Sequence, residues 1–390
     1  MCDNSSVLDL LVFCPSSFGG IPDYAHYQAE SIARLGVSVR MLCPLDYPHQ
    51  AVAYQQERCL PENGNRPRSK IWRMASLVRE MLSGYAILAK RIQESDCRSV
   101  LFASYGEYLA PIWARQFRKL QQKGVCFGAV VHDPVRDFVL GPKWWHQWSI
   151  SEGYSFLDHG FVHEAIQLDT GSRGQSVLQT VIPHGPYSFP DPNRSREDVR
   201  KELGISAEAN LFLCFGHLRD GKNLNLILKA LPDISNAWLL VAGSEAGSGH
   251  HQSKDYRKMA EELGVASRCR WEIGFASPKQ VANYFEAADF TLLTYEARFR
   301  SASGVLNVAA RYRRPVVASC GEGNLASAVR NYHLGPWVKP DCSKEIARGM
   351  IELLNSQGAP EWDRYMEENS WGQNARLVVD TMKLKSSECL

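Results

Sequence analysis

Short apolar runs, separated by segments with helical spacing, recur along the whole chain. In the first half they are VLDLLVFC, VSVRMLC, SVLFASY, GVCFGAVVH and HGFVHEA; in the second, NLFLCFG, AWLLVAG, CRWEIGF, DFTLLTY and RPVVAS. Strands without a polar face, alternating with helices, are what a parallel sheet covered on both sides requires. Two such series predict two sheets. Between them, SFPDPNRSRED (188–198) has two prolines, several charges and no period, and reads as a linker. The pattern predicts an α/β protein with a Rossmann-like domain over 1–190 and a second over 191–360. The tail, 361–390, reads as a helix too short for a third domain and is expected to cross back toward the first. Ligands of open α/β sheets lie beyond the carboxyl ends of the strands, so two such domains predict a central cleft lined by two sets of loops.

Composition narrows the function. The 390 residues carry 44 basic and 42 acidic side chains, a formal charge of +2, so no global field recruits nucleic acid and anion binding has to be local. Eleven cysteines are scattered without a C-x-x-C pair, which argues against structural zinc and a disulfide framework and fits a reducing cytoplasm. The first apolar run, LDLLVFC, is short, lacks a basic leader and runs into Gly19 and Gly20, so it reads as a buried strand rather than a signal peptide. No run reaches the roughly 20 apolar residues that span a bilayer.

The densest candidate chemistry is FGHLRDGKN (215–223), between a strand signal and the helical period of LNLILKAL. A glycine-rich strand-to-helix turn bearing Arg219 and Lys222 suits an anion. Three readings stay open on the residues alone. A triphosphate P-loop wants Ser or Thr after the lysine, where this chain has Asn223. A purely structural turn would leave both cations in solvent. A diphosphate held by Arg219 and Lys222 is the third.

The third gains from a resemblance. FGHLRDGKNLNLILKAL resembles the opening of the nucleotide-binding domain of GT-B glycosyltransferases of family 4. SPKQVANYFEAADFTLLTYEARFRSASGVLNVAARYRRPVVAS resembles that family's donor-site block, and FGGIPDYAHYQAESIARLGVSV its opening loop and helix. The resemblance implies a GT-B fold and transfer of a sugar from a nucleoside diphosphate to a saccharide or lipid-linked acceptor in glycan or cell-envelope polysaccharide synthesis. It further implies that Arg219 and Lys222 take the diphosphate, with Gly19, Gly20, Gly216, Ser303, Gly304 and Val305 contacting the donor. No metal and no resident cofactor are called for, the nucleotide-sugar being a substrate. One departure stands out: the family's two glutamates, eight positions apart, fall here on Arg300 and Val308. Glu296 is the nearby acid that could hold a hydroxyl of the donor.

In VVHDPVRD, His132 and Asp133 follow a buried-looking strand and are candidates for gripping a sugar hydroxyl or moving a proton. His184, in VIPHG, and His163, in FVHEA, occupy similar strand ends, each also open to a structural reading. GSEAGSGH (243–250) has the wrong spacing for a dinucleotide loop and reads as flexible. Residues 66–93 begin with four basic residues in eight and continue with Met74, Leu77, Met81, Tyr85, Leu88 and Ile92 at helical spacing. Such a helix can lie on the inner face of an anionic membrane or cover a sheet. Trp144, Trp145 and Trp148, expected in a loop, could stack on an acceptor sugar, and at least one is expected to fill core. The competing functions are a nucleotide-sugar epimerase, a non-catalytic sugar or nucleotide binder, and a P-loop kinase.

Overall fold

The computed structural model describes residues 8–62, 70–132, 141–186, 188–247, 249–356 and 358–385. By internal contacts the chain divides into two compact units, one of Met1–His184 with Ser370–Leu390, the other of Gly185–Asn369.

In the first unit seven strands form one parallel sheet: β1 Leu10–Phe13, β2 Val39–Pro44, β3 Gln55–Leu60, β4 Ser99–Phe102, β5 Cys126–Val130, β6 His159–Val162 and β7 Leu178–Val181, in the order β3-β2-β1-β4-β5-β6-β7. Order reverses at β1, the Rossmann arrangement in which the first strand is central. Helices α1 Gly20–Arg34, α2 Lys70–Glu94, α3 Ala110–Gln121 and α4 Lys143–Tyr154 supply the crossovers. Phe13, Phe102, Phe117, Phe127 and Phe156 are fully buried, and Phe127 meets Phe156 edge-on at 5.2 Å. Each such ring contributes about 1.5–3 kcal/mol by leaving water.

The second unit repeats the scheme with six strands: β8 Asn210–Phe215, β9 Ala237–Gly243, β10 Cys269–Ile273, β11 Phe290–Thr294, β12 Val316–Ser319 and β13 Trp337–Val338, in the order β10-β9-β8-β11-β12-β13 and all parallel. Its helices are α5 Arg196–Glu202, α6 Leu224–Ala230, α7 Ser253–Glu262, α8 Pro278–Ala287, α9 Gly304–Arg311, α10 Asn324–Asn331, α11 Ser343–Asn355 and α12 Trp362–Glu368. Arg200 of α5 is buried and spends its guanidinium on Ala287 O (2.9 Å), Ala209 O (3.0 Å) and Asp289 Oδ2 (2.6 Å), joining α5, the end of α8 and the start of β8.

Three sequence expectations change. The linker is shorter than read, because Ser195 caps α5 by accepting from Asp198 N and the helix starts inside it. The tail is two helices: α12 stays with the second unit, Ser370 then caps α13, Trp371–Met382, and α13 packs on α1 in the first. The tryptophans of KWWHQWS lie on the first turns of α4 rather than in a loop, and none is buried; Trp144 and Trp148 are exposed. Among the described residues no helix is long and apolar enough to cross a membrane.

Candidate active site

In the second unit the chemistry gathers at the carboxyl ends of β8, β9 and β11. Gly216, just past β8, has φ 97°, and a Cβ there would stand 2.8 Å from Lys222 Nζ. The positive φ favours glycine, and its missing side chain leaves the lysine its place. Gly243 closes β9 with φ 141°, and a Cβ on it would fall 2.3 Å from Gly216 O, so the two loops touch backbone to backbone. Their ladder continues beyond the strands: Leu218 N donates to Ser244 O and Ala246 N to Leu218 O, each at 2.9 Å. The first half of GSEAGSGH is therefore fixed rather than flexible, and the Glu245 carboxylate accepts from Ser253 N at 2.7 Å where α7 begins.

The turn differs from the one expected. Asp220–Lys222 form a single 3-10 turn, Asn223 is left-handed (φ 54°), and α6 has only seven residues. Lys222 N and Asn223 N are consumed by Arg219 O and Asp220 O, so these two amides are not offered to an anion. Lys222 folds inward over Gly216, its ammonium donates to Phe215 O at 2.5 Å, and it makes no ion pair among the described residues. Burial, with the Arg219 charge adding, pulls its pKa below the ordinary lysine value. Arg219 lies exposed on the same turn.

Distant residues hold this turn in place. Thr294 Oγ1, at the end of β11, donates to Lys222 O at 3.0 Å. Asp341 accepts from Asn223 Nδ2 with one oxygen and from Ala297 N with the other, both at 3.0 Å, clamping the turn to the loop after β11. In that loop Glu296 donates its N–H to Gly221 O at 3.1 Å, and its carboxylate pairs with Arg298 at 2.5 Å while standing 3.6 Å from where a Gly221 Cβ would be. Glu296 thus lies against the Lys222 turn. Val308 is core and cannot serve as a family glutamate would. Ser303 is buried and does not cap α9; its hydroxyl shares a 2.9 Å hydrogen bond with Tyr295 OH. Gly304 is exposed with open space where a Cβ would go, and Val305 Cγ2 comes within 3.7 Å of the Gly216 Cβ position.

In the first unit β5, β6 and β7 each lead into a histidine: His132, His163 and His184. Their rings surround Tyr24 of α1 at centroid distances of 4.7, 5.2 and 5.3 Å, and Trp371 of α13 closes the ring at 4.9 Å. Carbonyl oxygens only accept, so His132 donates from Nε2 to Ala103 O (2.9 Å) and His163 donates from Nδ1 to Ile182 O (3.1 Å). Asn374 of α13, fully buried, donates to Tyr24 OH (2.9 Å) and Pro183 O (2.7 Å) and accepts from Gln28 Nε2 (2.9 Å). Gly19, with φ 74°, precedes Gly20, the first residue of α1. Asp133 lies outside the described residues.

Burial, then the neighbouring His132 and His184, push His163 down to about 3. Unfolded, the same ring gains its proton near pH ~6.5, so stability falls as pH drops from there toward the folded value, by about 1.4 kcal/mol per pH unit for this one group. In His163→Phe the decline in denaturant-derived stability across that window should be shallower by one proton. An unchanged slope would mean that the imidazole is charged in the folded protein.

The structure therefore brings Gly216, Arg219, Lys222, Glu296, Ser303, Gly304 and Val305 to one edge of the second sheet, and His132, His163 and His184 to one edge of the first. Sequence reasoning missed Asp341, Thr294, Tyr24 and Asn374. Only Thr294, closing an apolar run, carried any local signal. Among the described residues no group of three or more His, Cys, Asp or Glu side chains is arranged to hold a metal ion.

Residues 195–378 match the family described as "Glycosyl transferases group 1". An uncharacterized glycosyltransferase of Methanocaldococcus jannaschii is 26% identical over 399 residues, covering 95% of each chain. Among solved structures, the chain resembles Anabaena Alr3699/HepE in complex with UDP and glucose (TM-score 0.63, 16% identity, 96% of this chain and 99% of that one). It also resembles the catalytic domain of starch synthase IV from Arabidopsis thaliana bound to ADP and acarbose (TM-score 0.67, 12% identity, 97% and 99%).

Proposed function

We propose that this chain, a glycosyltransferase of the GT-B fold, moves a sugar from a nucleoside diphosphate to a saccharide or lipid-linked acceptor, in the manner of family 4, with the diphosphate on the Gly216–Lys222 turn. The observation that carries the placement is Lys222, an inward-folded ammonium with no carboxylate partner among the described residues. A cation held away from water needs an anion, and a diphosphate supplies one. In the reaction the bond between the anomeric carbon and the phosphate oxygen breaks with its electron pair going to oxygen, and the acceptor hydroxyl oxygen bonds to that carbon. The hydroxyl proton passes to the diphosphate or to water. Charge grows on the departing diphosphate, where Lys222 and the forked guanidinium of Arg219 stabilise it without a metal. Ser303, Gly304 and Val305 would border the donor, Glu296 would take one of its hydroxyls, and no resident cofactor takes part; His132, of the first unit, is proposed to contact a sugar hydroxyl.

Strand order supports a place for the base. With Glu296 on the β11 side of the turn, the base is expected on the other side, over β9 and β10. There Phe275, just beyond β10, is 87% exposed and offers a bare aromatic face. Stacking on one base contributes about 1–3 kcal/mol, so Phe275→Ala should raise the donor KM about tenfold and leave kcat unchanged. A fall in kcat with constant KM would exclude that role.

For the peripheral membrane contact proposed through residues 66–93, the support lies in the exposed part of α2. Tyr85, Leu88 and Ile92 cover the sheet, but Trp72 and Met74 are 69% and 62% exposed, and Val78, Leu82 and Ala86 line an outward apolar groove beside Arg79. This combination supports peripheral contact with an anionic surface. Nine described cysteines are free thiols, which suits the reducing cytoplasm.

The deciding experiment incubates the protein with UDP-, GDP- and ADP-sugars and follows hydrolysis and product stereochemistry by NMR. Release of sugar and nucleoside diphosphate from one donor supports transfer. An epimerised donor, magnesium-dependent ATP turnover, or binding without any reaction would replace the proposal with an epimerase, a kinase or a silent binder.

A further inference from the structure

Where α2 passes over the carboxyl ends of β1 and β3, helix and sheet do not close on each other. A cavity of about 190 Å³ remains, with Phe13, Leu60 and Pro61 below and Leu77, Met81 and Gly84 above. Gly84 is the reason: mid-helix and facing inward, it places no side chain over Phe13, whose ring would stand 3.5 Å from a Cβ at that position. A helix-interior glycine weakens the helix, and an unfilled apolar void weakens the core. Both costs fall on the same spot, and Pro15, four residues before Gly19, also lines the cavity.

We infer that this cavity receives the hydrocarbon chain of an amphiphilic acceptor, which makes the acceptor lipid-linked; the inference rests on the transferase reading. The lining is mainly apolar, its polar side chains being Tyr85 and Glu80, whose carboxylate accepts from Ser76 Oγ at 2.5 Å, and mainly apolar cavities take apolar guests. The source of the chain follows from the surface around it. Trp72 and Met74 protrude from the preceding turns of the same helix, Arg73 and Arg79 are exposed beside them, and the outward groove of Val78, Leu82 and Ala86 runs along its neighbouring face. That is the surface of a helix lying at an anionic bilayer, where such a chain is available.

Binding of hexyl, octyl and decyl maltoside, each below its micellar concentration, tests this by calorimetry. Wild-type affinity should rise about fourfold per added methylene. Gly84→Leu, which fills the void and favours the helix, should flatten that series without lowering the melting temperature, and Met81→Trp, filling from the next turn, should do the same. A series that persists in both filled variants, or that is lost in Leu82→Glu instead, overturns the cavity site. A dimer in sedimentation that Gly84→Leu disperses would give the cavity to a second copy of the chain and also overturn it. Donor hydrolysis on the same preparations separates the two readings. No chain-length dependence with hydrolysis intact removes the lipid acceptor alone, and chain binding with no donor hydrolysed removes the transferase.

Discussion

Lys222→Ala is expected to lower kcat for sugar release or transfer by about a hundredfold to a thousandfold, the loss typical of removing one fixed group that stabilises developing charge. Fold stability should barely change, because the only described bond lost is the donation to Phe215 O. The effect should appear in kcat more than in KM, since charge on the diphosphate is greater in the transition state than in the bound donor. Lys222→Arg should not restore the rate: the compact ammonium is seated against Phe215 O at 2.5 Å, and a planar fork on a longer stem cannot put its charge at the same point. Steady-state kinetics beside a thermal melt decides the matter. Full activity in Lys222→Ala would move the diphosphate off this turn.

The second large effect is on stability. Asn374→Leu removes both donors and the acceptor of a fully buried amide, taking the donor from Pro183 O and leaving Tyr24 OH and Gln28 Nε2 with their 3.3 Å bond to each other. A stranded buried carbonyl costs about 1–3 kcal/mol and each of the other two lost hydrogen bonds about 1 kcal/mol, so the variant should lose about 4 kcal/mol in urea unfolding. Because Tyr24 touches all three histidines, the variant should also broaden their imidazole NMR signals, a change that a remote cavity mutation of equal cost would not produce. A loss below about 1 kcal/mol would mean that water replaces the amide.

How far the sequence could be read depended on where each strand lies. β1, β8, β9 and β11 are buried on both faces and appear as unbroken apolar runs. β3, with the sequence QQERCL, is an edge strand half in water and left no such trace, and β13 has only two residues. The break between α12 and α13 was hidden because helical spacing continues through it, and only the Ser370 cap marks the restart. At the site, the glycines and cations of the 216–222 turn signal themselves because their chemistry is local. Asp341 does not: it acts on Asn223 from 118 positions away, and nothing around it distinguishes it from an ordinary loop aspartate. The inner stripe of α2 was legible as a period, whereas its outward groove needed the helix to be seen against the sheet.

The order in which the units are completed follows from the path of the chain. Residues 185–369 are inserted between the two parts that make up the first unit, and α13, which carries Asn374 and Trp371, comes last. On a ribosome the second unit can therefore finish folding while Tyr24 and the three imidazoles still wait for their final neighbour. Nascent chains halted before residue 370 should hold a protease-resistant second unit joined to an amino-terminal part that is still readily cut, so the part begun first is the part finished last.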